Sequence, residues 1–243
     1  MTLVLLPGMD GTGILFAPLL RTLPAWIRPV VIEYPDGGAN SYEELIEHVE
    51  REVASLGEFA ILGWSFGGPL ALMIATRRPS QVSAVVLCAT FVTPPIPRLA
   101  RIRSVITPAL YGLVRAIRRI RYVIPGFASS ELRSAKVVLW RKVSPKVLAA
   151  RAQAALSVDV RDLLKACHAP LMYLASSHDA TVPRPNRDEV AAIAPQTQVF
   201  EVQGAHHSLF TKPVESVACL VEFFSQLPCQ PQAVEAHVRI PAS

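Results

Sequence analysis

Between Glu58 and Arg77 the chain runs through 18 residues without a formal charge, FAILGWSFGGPLALMIAT, from Phe59 to Thr76. A membrane span needs about 20 consecutive apolar residues in unbroken helical conformation. Here Gly63, Gly67, Gly68 and Pro69 interrupt the run at its centre. The run therefore reads as a β-strand, a tight turn and a helix that begins at once. A buried strand feeding straight into a helix is the unit from which parallel α/β sheets are built.

The rest of the chain repeats that rhythm. Short β-rich runs near 2–6, 28–33, 59–63, 83–89, 170–175 and 198–202 alternate with helical patterns near 14–22, 42–56, 67–78, 184–193 and 213–227. Ser41 followed by Glu44 reads as a capping box opening the second helix. At 243 residues, 51% hydrophobic and 18% charged, the chain has material for one large core and is too apolar for disorder. The predicted class is α/β with a mostly parallel sheet. The core is expected to comprise residues 1–93 and 159–227, with a helical cap inserted at 94–158 and a C-terminal tail at 228–243.

The cap carries most of the charge asymmetry. From Pro94 to Val158 there are 13 Lys and Arg and one acid, Glu131, a balance of +12, whereas the remainder stands at −7. Thr107-Pro108 reads as N-cap and N1 of a helix that Pro125-Gly126 closes. Leu110, Leu113, Val114, Ile117, Ile120 and Ile124 fall mainly on one face of it, and Arg115, Arg118, Arg119 and Arg121 largely on the other. The plain expectation puts the apolar face over the core and the arginines in water. The sharper expectations are an acidic protein partner or an anionic membrane surface. No recognised nucleic-acid-binding motif accompanies the charge, so nucleic acid is not an expected partner. Four separated cysteines without a CxxC pair suggest neither disulfides nor a zinc site. The opening MTLVLLPGMDGTG lacks a basic leader segment, which makes cytoplasmic the expected location.

The turn in the uncharged run, Gly63-Trp64-Ser65-Phe66-Gly67, has the GxSxG spacing in the strand-turn-helix context that pattern requires. A serine hydroxyl is a weak nucleophile and needs a base within hydrogen-bond reach, itself oriented by a third group. Downstream, Asp179 follows the strand predicted at 170–175, and His206 and His207 follow the one at 198–202. Ser65, Asp179 and a histidine thus all lie beyond carboxyl ends of strands, where open α/β sheets place their sites. Asp159 and Asp162 precede a strand and are poorer candidates, and His48, His168, His178 and His237 read as solvated or loop residues. An oxyanion needs two aimed backbone N–H groups. Phe66 would supply one and Met9, in the glycine-rich turn after the first strand, the other. That turn, GMDGTG, lacks the spacing and lysine of a phosphate-binding loop.

Through LLPGMDGTG, GWSFGG, SSHD and GAHHSLFTKP the chain resembles the α/β-hydrolase superfamily over almost its whole length. The resemblance implies an abbreviated sheet of about six strands, because the chain starts at what would be the family's third strand. Pro7 stands where many members have histidine in the first loop. By analogy with members whose histidine lies seven residues before a proline, His206, paired with Pro213, is preferred over His207. The implied activity is acyl transfer from an ester or thioester by Ser65, His206 and Asp179, with no metal and no organic cofactor. GWSFGG, the DATVPR loop and the arginine-bearing cap are similar to esterases acting on pimeloyl-acyl-carrier-protein methyl ester. That implies acyl carrier protein as a partner of Arg115, Arg118, Arg119 and Arg121. LPGMDGTG is also similar to plant-type acyltransferase and esterase domains acting on phytyl and lipid esters. The alternatives are accordingly a membrane-associated lipid esterase or acyltransferase, and a non-catalytic binding module on the same fold.

Overall fold

The computed structural model describes residues 1–123 and 129–227, with the side chains of 114, 115 and 118–123 outside the description. Six strands, β1 (Thr2–Leu6), β2 (Arg28–Val31), β3 (Phe59–Trp64), β4 (Val82–Cys88), β5 (Leu171–Ser176) and β6 (Gln198–Val202), form one sheet in the order β2-β1-β3-β4-β5-β6. All five pairings are parallel. Both faces of such a sheet are covered, and the two-residue period of the strands shows it. Leu3 and Leu5 of β1 face one cluster while Val4 and Leu6 face the other. Ala60 and Leu62 of β3 divide from Ile61 in the same way.

Helices α1 (Ala17–Thr22), α10 (Ser208–Thr211) and α11 (Pro213–Ser225) pack on the Leu3 face. On the Val4 face lie α2 (Tyr42–Val53), α3 (Gly67–Arg77), α8 (Arg161–Lys165) and α9 (Pro185–Ile193). The Ser41 side chain accepts from the Glu44 amide as expected, but the Glu44 carboxylate reaches past it to the Asn40 N–H. Asn40 is in a left-handed conformation, φ +54°, which turns its amide toward that carboxylate.

After β1 the chain builds β2 on one side, then crosses back to place β3 on the other. The loops leaving β1 and β3 diverge, and a crevice opens at such a switch point. Met9 follows β1 and Ser65 follows β3, so the topology brings the two turns together.

Between β4 and β5 the described residues hold no strand. They form α4 (Pro97–Ala100), α5 (Pro108–Val123), α6 (Ser130–Lys142), α7 (Pro145–Ala155) and α8. Side-chain caps from Thr107, Ser129 and Ser144 start α5, α6 and α7, each accepting an amide three residues on. α5 departs from expectation. Leu110, Leu113 and Ile117 are 41%, 59% and 55% exposed, so this apolar stripe does not lie over the core. The packed face is that of Tyr111 and Gly112. Tyr111 lies against Val143, Val147 and Leu148, and a Cβ at Gly112 would stand 3.9 Å from Pro145. A side chain there would make only an ordinary contact, so it is the packing of Tyr111 against Val143, Val147 and Leu148 that marks the side of α5 turned toward α7 among the described residues. The expected closure at Pro125-Gly126, the side chains of Val114 and Ile120, and Ile124 lie outside the described residues, as does the 228–243 tail.

Candidate active site

β3 ends at Trp64, and Ser65 takes φ +53°, a left-handed conformation that costs a non-glycine residue on the order of 1–3 kcal/mol. Neighbouring contacts hold it there. The Ser65 amide donates to Cys88 O at 2.9 Å, and its carbonyl accepts from the Gly68 amide at 3.1 Å and from the Thr90 hydroxyl. The three glycines are required by close approach. A Cβ at Gly67 would sit 2.6 Å from Leu6 O and 2.8 Å from Pro7 O; one at Gly63 would sit 2.6 Å from Gly68 Cα; one at Gly68 would collide with Thr90. The turn thus presents Ser65 at the N-terminus of α3, where the helix dipole favours negative charge.

His206 Nε2 stands 3.0 Å from Ser65 Oγ, and its Nδ1 stands 2.7 Å from Asp179 Oδ2. The other carboxylate oxygen of Asp179 accepts the Thr181 and Val182 amides, each at 2.8 Å. Both oxygens are therefore engaged, and the loop after β5 grips the carboxylate. The Asp179 side chain is 4% exposed and that of His206 12%, and Ser65 is buried beside them, so the whole chain is largely screened from water. Such a chain can pass the serine proton to His206 and stabilise the resulting imidazolium.

His207 turns elsewhere. Its ring meets Trp64 edge-on at 5.9 Å and His206 at 5.5 Å, and no hydrogen bond joins it to Ser65 or Asp179. Burial, with Lys136 and His206 adding to it, holds its imidazole well below the usual histidine range. His207 is a neutral packing residue beside the histidine that makes the bonds. Asp159 and Asp162 are occupied by Arg161 and Lys165 on the surface, and His48 bonds the Glu33 carbonyl.

The turn after β1 lies against the same serine: a Cβ on Gly8 would be 3.7 Å from Ser65 Cβ. Gly8 O accepts the Gly11 amide at 2.9 Å. In a trans peptide N–H and C=O point opposite ways, so the Met9 N–H is directed away from that turn. Neither the Met9 nor the Phe66 amide donates to a protein acceptor among the described residues. Both remain available as oxyanion donors. Phe66 is itself fixed, its ring stacked on Tyr42 at 4.6 Å and its carbonyl accepting the Tyr42 hydroxyl.

One residue at this loop is not singled out by the sequence patterns. Arg151, counted there among the charges of the cap, is fully buried and donates to Met9 O, Pro35 O and Asn40 Oδ1. Its flanking alanines and the neighbouring Val147, Leu148 and Ala155 carried the only hint, an arginine set in the apolar face of α7. Arg115, Arg118, Arg119 and Arg121 belong to α5, and their side chains lie outside the described residues. Among the described residues no group of three or more His, Cys, Asp or Glu is placed to hold a metal ion, and no helix is long and apolar enough to cross a membrane.

Residues 3–218 match the family model described as the alpha/beta hydrolase family. The chain belongs to the α/β-hydrolase family. This hydrolase is 26% identical to a pimeloyl-[acyl-carrier protein] methyl ester esterase of Vibrio campbellii, covering 92% of this chain and 94% of the esterase. It is 25% identical to the polyketide synthase ThaQ of Burkholderia thailandensis over 85% of its own length, which spans 11% of that synthase. Among solved structures, the enol-lactonase of Burkholderia xenovorans superposes with a TM-score of 0.75 at 17% identity, covering 93% of this hydrolase and 91% of the lactonase.

Proposed function

We propose that this hydrolase is a serine carboxylesterase in which Ser65 is the nucleophile, His206 the general base and Asp179 its orienting acid. The observation that carries the proposal is the continuous chain from Ser65 Oγ through His206 to Asp179, at 3.0 and 2.7 Å. Ser65 Oγ attacks the ester carbonyl as its proton passes to His206 Nε2. The negative charge on the carbonyl oxygen is met by the Met9 and Phe66 amides, which need no reorganisation. His206 then protonates the departing alcohol or thiol. A water molecule, deprotonated by His206, attacks the acyl-enzyme, and its collapse returns the proton to Ser65 and releases the acid.

For the substrate we infer an acyl ester carried by acyl carrier protein, a methyl ester of the pimeloyl type being the first to test. Similarity to the Vibrio campbellii esterase over nearly the full length of both chains supports this reading. So does the +12 segment, which would steer an acidic carrier toward the site through Arg115, Arg118, Arg119 and Arg121. The exposed stripe of Leu110, Leu113 and Ile117 favours a second reading, a lipid esterase or acyltransferase docked on anionic membrane. Binding to anionic liposomes that is lost on replacing the four arginines would select it.

The deciding experiment is hydrolysis of p-nitrophenyl esters from two to twelve carbons by wild type and Ser65→Ala, with a fluorophosphonate label located by mass spectrometry. Label on Ser65 and turnover abolished in the variant are expected. An intact fold with no label and no turnover would instead point to a non-catalytic binding module.

A further inference from the structure

We propose that Arg151 is a positioning residue for the ester chemistry, clamping the turn after β1 so that the Met9 N–H faces the oxyanion; this rests on the serine-esterase reading above. Its guanidinium uses all three nitrogens. Nε donates to Asn40 Oδ1 at 2.8 Å, one terminal nitrogen to Met9 O at 3.1 Å and the other to Pro35 O at 2.9 Å. Among the described residues no acid comes within ion-pair distance; every hydrogen bond of this fully buried charge goes to a neutral oxygen, with Asp10 and Asp36 acting on it only from further off. Removing water from an arginine is costly, and the cost is met only if each donor is satisfied. The geometry of the turn is therefore tied to the fork of the guanidinium.

The contacts bracket the peptide that matters. Upstream, the Tyr34 hydroxyl donates to Pro7 O at 3.0 Å. Within the turn, Gly8 O is held by the Gly11 amide. Downstream, Arg151 holds Met9 O. With Pro7, Gly8 and Met9 carbonyls each engaged, the Gly8–Met9 peptide plane has no freedom to rotate its N–H away from Ser65. Gly11 is part of the same device: it lies at φ +69°, and a Cβ there would collide with the Arg151 guanidinium and stand 2.9 Å from the Tyr34 ring. Gly11 of GMDGTG thus makes room for an arginine of the protein itself. Arg151 also stacks over Tyr34, 5.3 Å from its centroid. Because Arg151 belongs to α7, between β4 and β5, the helical segment completes the site and does more than cover it.

Lysine cannot serve three divergent acceptors from one ammonium. In Arg151→Lys we expect kcat for p-nitrophenyl butyrate to fall about 10²-fold, as a displacement near 1 Å produces, with KM within about twofold. The affinity for an alkyl boronic acid, whose tetrahedral adduct places an oxygen between the two amides, should fall in parallel with kcat/KM. Tyr34→Phe keeps the ring and loses only the bond to Pro7 O; it should lower kcat at least about 10-fold at unchanged KM, and it decides the matter where Arg151→Lys does not fold. A folded variant with a lower melting temperature but unchanged kcat and boronate affinity would overturn the clamp and leave the esterase reading standing. Wild type that neither hydrolyses esters nor labels at Ser65 would overturn the esterase reading, and the positioning role with it.

Discussion

Ser65 and His206 lie 141 positions apart in the chain, yet His206 Nε2 is 3.0 Å from Ser65 Oγ. His207, the adjacent residue, makes no such bond and packs edge-on against Trp64. His206→Ala should therefore lower kcat for p-nitrophenyl esters about 10⁴-fold or more, as loss of a base does in triads of this kind. His207→Ala should cost less than about 10-fold, acting only through packing. Comparable losses in the two variants would remove the distinction.

Asp179 places one oxygen on His206 and the other on two backbone amides. Asp179→Asn preserves the shape of that grip but sets an amide donor or a neutral carbonyl against Nδ1, so the imidazole loses its preferred tautomer and its charge partner. A fall of about 10⁴-fold in kcat is expected, with far-UV circular dichroism unchanged. Activity within tenfold of wild type would show that another acid serves the base.

His207 also makes stability depend on pH. Its imidazole titrates well below the usual 6.5 because burial disfavours the cation, so the unfolded chain binds a proton that the folded chain refuses. Between 6.5 and the depressed folded value the unfolded state holds more protons, and stability falls as pH is lowered. The contribution is fully present above about pH 6.5 and is lost on acidification. Urea midpoints from pH 8 to pH 5 should decline less steeply in His207→Asn than in wild type. Equal slopes would mean the ring is hydrated when folded.

Gly67 is the tightest point between the serine turn and β1, with backbone oxygens of Leu6 and Pro7 within 2.8 Å of any added Cβ. Since the neighbours are backbone, they cannot swing aside. Gly67→Ala should destabilise the fold by about 1–3 kcal/mol in urea titration and lower kcat in the surviving protein by displacing the Met9 turn. A variant as stable and active as wild type would show that the two turns are free to separate.

The basic segment predicts a salt effect that depends on the substrate. For an ester attached to acyl carrier protein, kcat/KM should fall several-fold as ionic strength rises from about 0.01 to 0.15 M, because the screening length shrinks from about 30 to 8 Å. Hydrolysis of a neutral p-nitrophenyl ester should change little over the same range. Charge reversal of Arg115, Arg118, Arg119 and Arg121 should abolish the difference.

Much of this was legible in the residues, for reasons that are local. The unbroken apolar runs of β1 and β3, the glycines around Ser65, and Ser, Thr and Pro at helix starts act over a few positions, so they survive in one dimension. So did the order Ser65, Asp179 and then a histidine pair, because each follows a strand end, with resemblance to the family favouring His206 of the two. What only the tertiary structure decided depends on contacts between distant segments. α5 packs through Tyr111 on Val143, Val147 and Leu148, which leaves Leu110, Leu113 and Ile117 exposed where hydrophobic periodicity alone put them inside. The ring that faces Ser65 was decided by the path of the loop after β6. Arg151 looked like one more surface charge, because composition counts charges and cannot see acceptors. Met9, Pro35 and Asn40 converge on its guanidinium from 142, 116 and 111 residues away, and only in three dimensions do their oxygens make burying that charge possible.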